Sequence, residues 1–525
     1  MSVFTRSQRL GPAALLMAAS VFLSRFMGLI RDKVISYYFG AGVETDLYNA
    51  SFAIPDLIHS LLAGGYFSIT LIPLLTQFFK EDEEKGWAFF SATLWWISLA
   101  ALAFASLAWI FAPALGALIV PGLSDPLVID RLTVFLKIAL PAQVCILSGS
   151  CFNAVLMLRR QFALPALTPL VYNGCTITGG IICVHFFPER GMEGFSWGVF
   201  AGAVLGFLVL PALAVRAGGL RFKAVLFHPG LKPFLLLAFP LMLGQSIVML
   251  DEQMARVFGS FGQEGSISYL SYSRRIMMVP VGVVTQSIGV AAYPFLASLA
   301  ASGDISGFNR TVNRVMLASL AVIIPLSFWM MSAAGPTIRL IFQQGMFSAE
   351  NTESMSVILV IMLWSAPLWN IQQTLGRGFY ARRNTLTPVL AGTVSTLLAI
   401  PLYWFLSVRY GVLGVAVSGV SGMALYTFLM LRRWNSHFGG EAVLGLGKRL
   451  ALLLGLSLPC ALLSRFSSDF TDALLPSVPL LAAFLSLCVS FAVFSLSFSI
   501  LCRLTAPFLW KETLDSLRKM VKKKA

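Results

Sequence analysis

The sequence predicts an all-α polytopic membrane protein of about fourteen transmembrane helices, arranged as two six-helix pseudo-repeat lobes plus two C-terminal helices. Three observations predict it. Of the 525 residues 57% are hydrophobic and only 12% charged, with a mean hydropathy of +0.81, whereas a soluble chain carries about a quarter charged residues. Apolar runs long enough to cross a bilayer recur along the whole chain. A set of residues also repeats at an offset near 220.

The apolar runs fall at 11–39, 48–79, 86–118, 133–157, 162–187 and 194–215, then at 231–259, 266–299, 315–343, 354–381, 385–407 and 411–431, and last at 450–465 and 474–502. The first follows Arg6 and Arg9 and continues through Arg25 and Arg31 with no cleavage signal, so it reads as a retained helix. Tyr48 and Pro73 lie 25 residues apart, as do Tyr269 and Pro294. Thr168-Pro169 recurs as Thr387-Pro388, each after a basic loop (Arg159-Arg160 or Arg382-Arg383), and Leu118-Ile119 recurs as Leu340-Ile341. Six helices followed by six in the same orientation give parallel repeats, a plan that secondary transporters use with the substrate site between the halves. The expected division is 1–225 for the N-terminal lobe, 226–440 for the C-terminal lobe, and 441–525 for an extra helix pair with a basic tail.

The net charge of +15 is distributed by membrane side. With the N-terminus taken as cytoplasmic, 25 Lys and Arg lie near the inner face, and four (Arg131, Arg190, Arg409 and Arg465) near the outer. This bias predicts that both termini are cytoplasmic. The tail Lys522-Lys523-Lys524 then sits beside anionic lipid, and nucleic acid is not an expected partner. Seven cysteines lie singly in apolar runs without a CxxC, and four histidines are scattered, so no metal site is expected. The absence of a P-loop, nucleophile elbow or zinc motif points to a transporter rather than an enzyme. Gly411, Gly414, Ala416, Ser418 and Gly419 suit close helix packing.

A charge at the bilayer centre costs about 2.5–3.5 kcal/mol on insertion scales, so charges inside spans mark function or pairing. The first span carries Arg25, Arg31, Asp32 and Lys33. Arg25 lies roughly 21 Å along a helix of roughly 42 Å, and Arg25, Gly28 and Asp32 share a face. The second span has Asp56 and His59, and the seventh Asp251, Glu252 and Arg256. Asp251 and Glu252 are candidates for ion binding or gating, although Glu252 and Arg256, at i and i+4, can instead neutralise each other. Arg274 and Arg275 stand beside Tyr272 in the eighth span. Guanidinium groups in a polar pocket suit phosphate. Arg339, Arg377 and Lys137 serve equally as snorkelling residues. Pro55, Pro73, Pro141, Pro240, Pro280, Pro294 and Pro367 mark kinks.

Several of these stretches resemble the MurJ/MviN family of lipid II flippases, within the multidrug/oligosaccharidyl-lipid/polysaccharide exporter superfamily. They are Ser24-Arg25-Phe26-Met27-Gly28-Leu29-Ile30-Arg31-Asp32, Phe39-Gly40-Ala41-Gly42, Thr45-Asp46 and Pro55, then Gly265-Ser266-Ile267-Ser268 leading to Tyr272 and Arg275, and Gly378-Phe379-Tyr380-Ala381-Arg382 leading to Thr387-Pro388. The resemblance covers essentially the whole chain. It implies a flippase of the bacterial cytoplasmic (inner) membrane. Such a protein moves the undecaprenyl-pyrophosphate-linked peptidoglycan precursor to the outer leaflet by alternating access around a cationic cavity. Arg25, Arg31 and Arg275 fall on family arginines that handle pyrophosphate, and Asp32 and Asp46 fall on matching acids. The final helix pair is similar to one that forms a lipid-tail groove.

This chain departs from the family pattern at His59, where a basic residue is common, at Gly64 in place of an acid, and at Arg274, where relatives can have an acid. Ser395 and Thr396 stand on a span where some relatives carry a sodium-binding acid, and Asp251 is about one turn from the matching place, so these residues argue against sodium coupling, and neither sodium nor proton coupling is assigned. Membrane potential would supply about 2.3 kcal/mol per charge per 100 mV. No cofactor is expected. Expected partners are the lipid-linked precursor, membrane lipids and cell-wall synthesis proteins. Competing readings are a flippase for another polyprenyl-linked glycan, a drug/cation antiporter of the same superfamily, and a non-transporting scaffold for cell-wall synthesis. If His59 faces a cavity, transport should depend on pH near neutrality and lose that dependence in His59→Gln; an unchanged profile counts against it.

Overall fold

The computed structural model describes residues 10–63, 70–221, 225–382, 384–439 and 445–507. Arg6, Arg9, Gly64, Lys223, Arg383 and the tail from Lys522 to Lys524 lie outside the described residues, as do the side chains of Asp251, Pro240 and Pro294. Among the described residues the chain is helical, with no strand.

The helices follow the apolar runs. The first run is α1 (Leu10–Phe39). The second is broken into α2 (Val43–Ala50), α3 (Ala53–Ala63) and α4 (Ile72–Glu81). Next come α5 (Glu83–Ile110), α6 (Ala112–Ile119), α7 (Pro126–Leu158), α8 (Ala163–Phe186), α9 (Glu193–Gly202), a π-helical stretch (Ala203–Val209) and α10 (Leu210–Ala217). The chain continues with α11 (Leu231–Gly259), α12 (Ser266–Pro280), a second π-helical stretch (Val281–Gln286), α13 (Ser287–Ser302), α14 (Ile305–Ser332), α15 (Ala334–Ile341), α16 (Ala349–Leu363) and α17 (Ser365–Ala381). It ends with α18 (Leu386–Phe438), α19 (Leu446–Leu474) and α20 (Pro479–Thr505). Among the described residues, nine helical segments are long and apolar enough to cross a membrane by length and composition alone. The runs 385–407 and 411–431 are two arms of α18, which reverses at Gly411 (φ 56°, ψ −136°). A Cβ on Gly414 would collide there with the Leu406 carbonyl, so two glycines replace a loop.

The chain divides into two compact units, Met1–Ser268 and Tyr269–Ala525. Helix α11 and the first residues of α12 therefore fold with the first unit, although the repeat counts residues from 226 in the second lobe. In the first unit, α5 packs on α7 around Trp87, Phe90, Leu147 and Phe152, and a second cluster gathers Leu47, Tyr48, Leu132, Phe135, Phe195 and Ile267. Helices α8 and α9 meet backbone to backbone. A Cβ on Gly198 would lie 2.5 Å from the Cys175 carbonyl oxygen, and one on Gly179 2.8 Å from Gly194 and Gly198 atoms. Small residues at such a seam let two membrane helices gain dispersion contact that lipid tails cannot provide. Arg131 joins α2, α7 and α9 by bonding Glu44 (2.8 Å) and Glu193.

In the second unit, α14 packs on α17 and α19. Phe308, Phe379, Trp434 and Phe438 form an aromatic cluster, and the absence of a side chain at Gly378 admits the Trp434 ring. The C-terminal pair joins this unit through small polar groups. Trp329 Nε1 donates to Ser490 (3.3 Å), Ser332 bonds Ser464 (3.0 Å), and Arg339 pairs with Asp472 (3.0 Å), which also accepts from Ser486 (2.8 Å). Helix α19, which carries Ser464 and Asp472, runs Leu446–Leu474, beyond the expected span 450–465. Arg339 is thus an ion-pair partner rather than a snorkelling residue.

The α8–α9 seam gives a paired prediction. Gly198→Ala should destabilise the protein by about 1–3 kcal/mol through overpacking, because its methyl meets backbone. Gly174→Ala, whose methyl meets nothing within 4 Å, should be close to neutral. Thermal midpoints of the two purified variants in one detergent check this; equal midpoints would show that the backbones do not meet as described.

Candidate functional site

The charged residues singled out in the sequence are held in three places in the first unit and one in the second. On α1, Arg31 pairs with its neighbour Asp32 at 3.3 Å; the Arg31 side chain is 14% exposed and that of Asp32 2%. Arg25 stands exposed two turns earlier, and Gly28 faces open space. Tyr48 is fixed edge-on to Phe52 and Phe195, at 5.1 and 6.3 Å between ring centroids. An acid beside a guanidinium offsets part of the cost of holding that charge in an apolar bundle.

The second place joins α3 to α11. Arg256 bonds Asp56 (2.9 Å), Gln253 (3.0 Å) and Glu252 (3.3 Å), with its side chain 12% exposed. The planar fork of arginine suits several acceptors at once. The expected Glu252–Arg256 pair is therefore present, but Asp56, 200 residues away in sequence, makes the shorter bond. His59 lies one turn beyond Asp56 and within reach of its charge. Asp251 is on α11, with its side chain outside the described residues.

The third place joins the first turn of α2, and the turn before it, to the start of α12. Asp46 is 3% exposed and accepts from the Gly265 N–H (2.9 Å), the Ser268 N–H (2.7 Å) and the Ser268 hydroxyl (2.6 Å). A carboxylate at a helix N-terminus meets unsatisfied N–H groups and the positive end of the helix dipole. Gly265 has φ +85°, and a Cβ there would lie 2.6 Å from the Ala41 carbonyl oxygen. Close approach of the two turns thus requires glycine.

Arg274 and Arg275 lie half-buried on α12 in the second unit. Arg274 sits over the Trp369 ring at 5.8 Å, and Tyr272 stacks on Phe342 at 4.9 Å. Arg377 donates to the Thr285 carbonyl (3.1 Å), and Lys137 lies over Trp109 at 4.6 Å, so each has a specific partner where the sequence left snorkelling open. Sequence reasoning missed Ser268 and Trp369 as partners of the charged residues, because each contact is long-range. Among the described residues no group of three His, Cys, Asp or Glu could hold a metal ion.

A family model described as lipid II flippase MurJ matches residues 35–484. A probable lipid II flippase MurJ of Bdellovibrio bacteriovorus is 27% identical over 80% of this chain and 81% of its own length. The counterpart from Vibrio cholerae is 26% identical over 83% of this chain and 84% of its own. Among solved structures, a lipid II flippase MurJ in an inward closed conformation superposes with a TM-score of 0.77 at 24% identity, over 93% of this chain and 99% of that one. An inward-facing multidrug resistance MATE transporter of the MOP superfamily gives 0.64 at 15% identity, over 84% and 98%. These structures share the fold.

The Asp46 contacts yield a stability prediction. Asp46→Ala leaves two buried N–H groups of the α12 start without their acceptor and should cost about 3 kcal/mol, while Ser268→Ala, which removes one hydroxyl donor, should cost about 1 kcal/mol. Thermal denaturation of both variants in detergent measures this, and an Asp46→Ala midpoint equal to wild type would refute the capping role.

Proposed function

The chain belongs to the MurJ family of lipid II flippases, and we propose that it carries lipid II from the inner to the outer leaflet of the bacterial cytoplasmic membrane by alternating access. The observation that carries this reading is the family match across residues 35–484, which runs from the last turn of α1 to the start of α20. A multi-pass helical bundle with arginines held inside apolar spans fits it. In this reading the chain acts as a transporter, with no bond made or broken. Arg25, Arg31 and Arg275 handle the pyrophosphate, with Arg274 adding a further cation. Asp32 holds Arg31, and Asp46 holds the turn before α12. His59, with Asp56 beside it, adjusts the charge near Arg256.

In this reading both termini lie in the cytoplasm, which the excess of Lys and Arg assigned to that side supports. Residues 1–225 and 226–440 act as the two lobes of the transport cycle, and 441–525 as the added pair that accompanies the lipid tail. The cycle needs no resident cofactor and draws on sodium, protons or membrane potential. Membrane lipids surround it, and cell-wall synthesis proteins receive its product. A drug/cation antiporter would present acids to its cargo; the arginine content of α1 and α12 favours an anionic one.

Complementation of a bacterium depleted of its own lipid II flippase tests the proposal at matched expression. Growth with wild type and lysis with Arg31→Ala is the expected result, a loss of function rather than a partial defect. Lysis with a well-inserted wild type would reject lipid II as cargo, and growth with both would reject Arg31 as essential.

A further inference from the structure

The side of α17 packed into its unit carries Ile371, Thr374, Leu375 and Phe379, all buried. A second stripe runs through Trp369, Gln373, Arg377 and Tyr380, at i, i+4, i+8 and i+11, and none of the four is buried. Trp369 to Arg377 spans about 12 Å along the axis. A helix surface suited to lipid looks different: on α18 the exposed residues include Leu390, Val394, Leu397, Leu398 and Phe405. An amide and a guanidinium on a part-exposed stripe of an apolar span are costly against hydrocarbon and belong against water or a polar ligand.

The stripe is held from both sides. Arg274 lies over the Trp369 ring at 5.8 Å. Arg377 donates to the Thr285 carbonyl in the π-helical stretch Val281–Gln286, a type of irregularity that recurs at functional sites. Beneath the stripe, the Thr285 hydroxyl donates to Asn370 (2.9 Å), and the Asn370 amide donates to Ser319 (2.8 Å), so a buried network fixes the backbone. The neighbouring Gln372 is engaged with the Met423 carbonyl and the Thr427 hydroxyl, both at 3.0 Å. Gln373 points from a different side of the same helix.

We propose that Trp369 and Gln373, between the cations Arg274 and Arg377, form a subsite for a sugar ring of the lipid-linked substrate, an inference that rests on the lipid II reading above. The C–H face of a sugar is weakly positive and packs on the electron-rich face of an indole. A primary amide both donates and accepts, matching adjacent hydroxyls or an acetamido group. The flanking guanidinium groups suit the phosphate to which that sugar is joined. A flat ring beside an amide gives little to an acyl chain or to bare phosphate, so the glycan is the part of the substrate that these two residues select.

The test compares two probes, lipid II and undecaprenyl pyrophosphate, for binding to the full-length protein in lipid nanodiscs. Trp369→Ala and Gln373→Ala should each weaken lipid II binding about tenfold and leave undecaprenyl pyrophosphate unchanged, while Trp369→Phe, which keeps an aromatic face, should stay close to wild type. Unchanged lipid II affinity in both alanine variants overturns the subsite. Equal loss of both probes overturns it as well, because the residues would then act on phosphate or on folding. Wild type that binds neither probe would sink the lipid II reading itself, an outcome separable from failure of the subsite alone, in which wild type binds lipid II and the variants bind it equally well.

Discussion

A charge placed in hydrocarbon must be answered by another charge, by hydrogen bonds or by water, and this constraint organises the interior of both units. Arg31 is answered by Asp32. Arg256 is answered three times, by Asp56, Gln253 and Glu252. Asp46 gathers two backbone N–H groups and a hydroxyl, and Arg339 takes Asp472. The last three of these arrangements also fix one helix against another: α3 against α11, the start of α2 against the start of α12, and α15 against α19. Charged groups held inside apolar spans thereby also align the helices that carry them. Their removal is costly twice, since the partner left behind remains buried.

The backbone contributes the second level of order. Without a hydrophobic drive between helices in lipid, contact depends on close packing and on polar bonds. Glycines supply the first at the α8–α9 seam. Serines supply the second between α14 and the C-terminal pair, where Ser332, Ser464 and Ser490 bond across the helices. The π-helical stretches after α9 and α12 free carbonyls from the regular ladder, and Arg377 takes one of them.

Most of the fold was legible because its signal is local. Apolar runs set the helices, and an i, i+4 spacing disclosed the Glu252–Arg256 pair. What stayed hidden was long-range. No pattern near Arg256 indicates Asp56, and Asp46 was marked by family resemblance without the donors it would meet. The run at 450–465 looked too short because Arg465, Ser467, Ser468 and Asp469 interrupt its hydropathy, yet α19 continues to Leu474. Asp472 near that end is neutralised by Arg339, from a segment more than a hundred residues earlier. Trp369 gave no signal, since an aromatic residue in an apolar span is ordinary until its neighbours are known.

The reversal at Gly411 has a practical consequence for mapping how the chain threads the bilayer. Two spans are joined there through one residue in the left-handed region, with Gly414 pressed against the carbonyl of Leu406. No extended loop emerges, and an exposed strand of chain is what a protease cleaves and what an inserted reporter or epitope requires. A topology survey by insertion or limited digestion would therefore report silence at this turn. That silence would reflect tight geometry rather than burial of the segment within the membrane, and a survey that read it as burial would miscount the crossings by two.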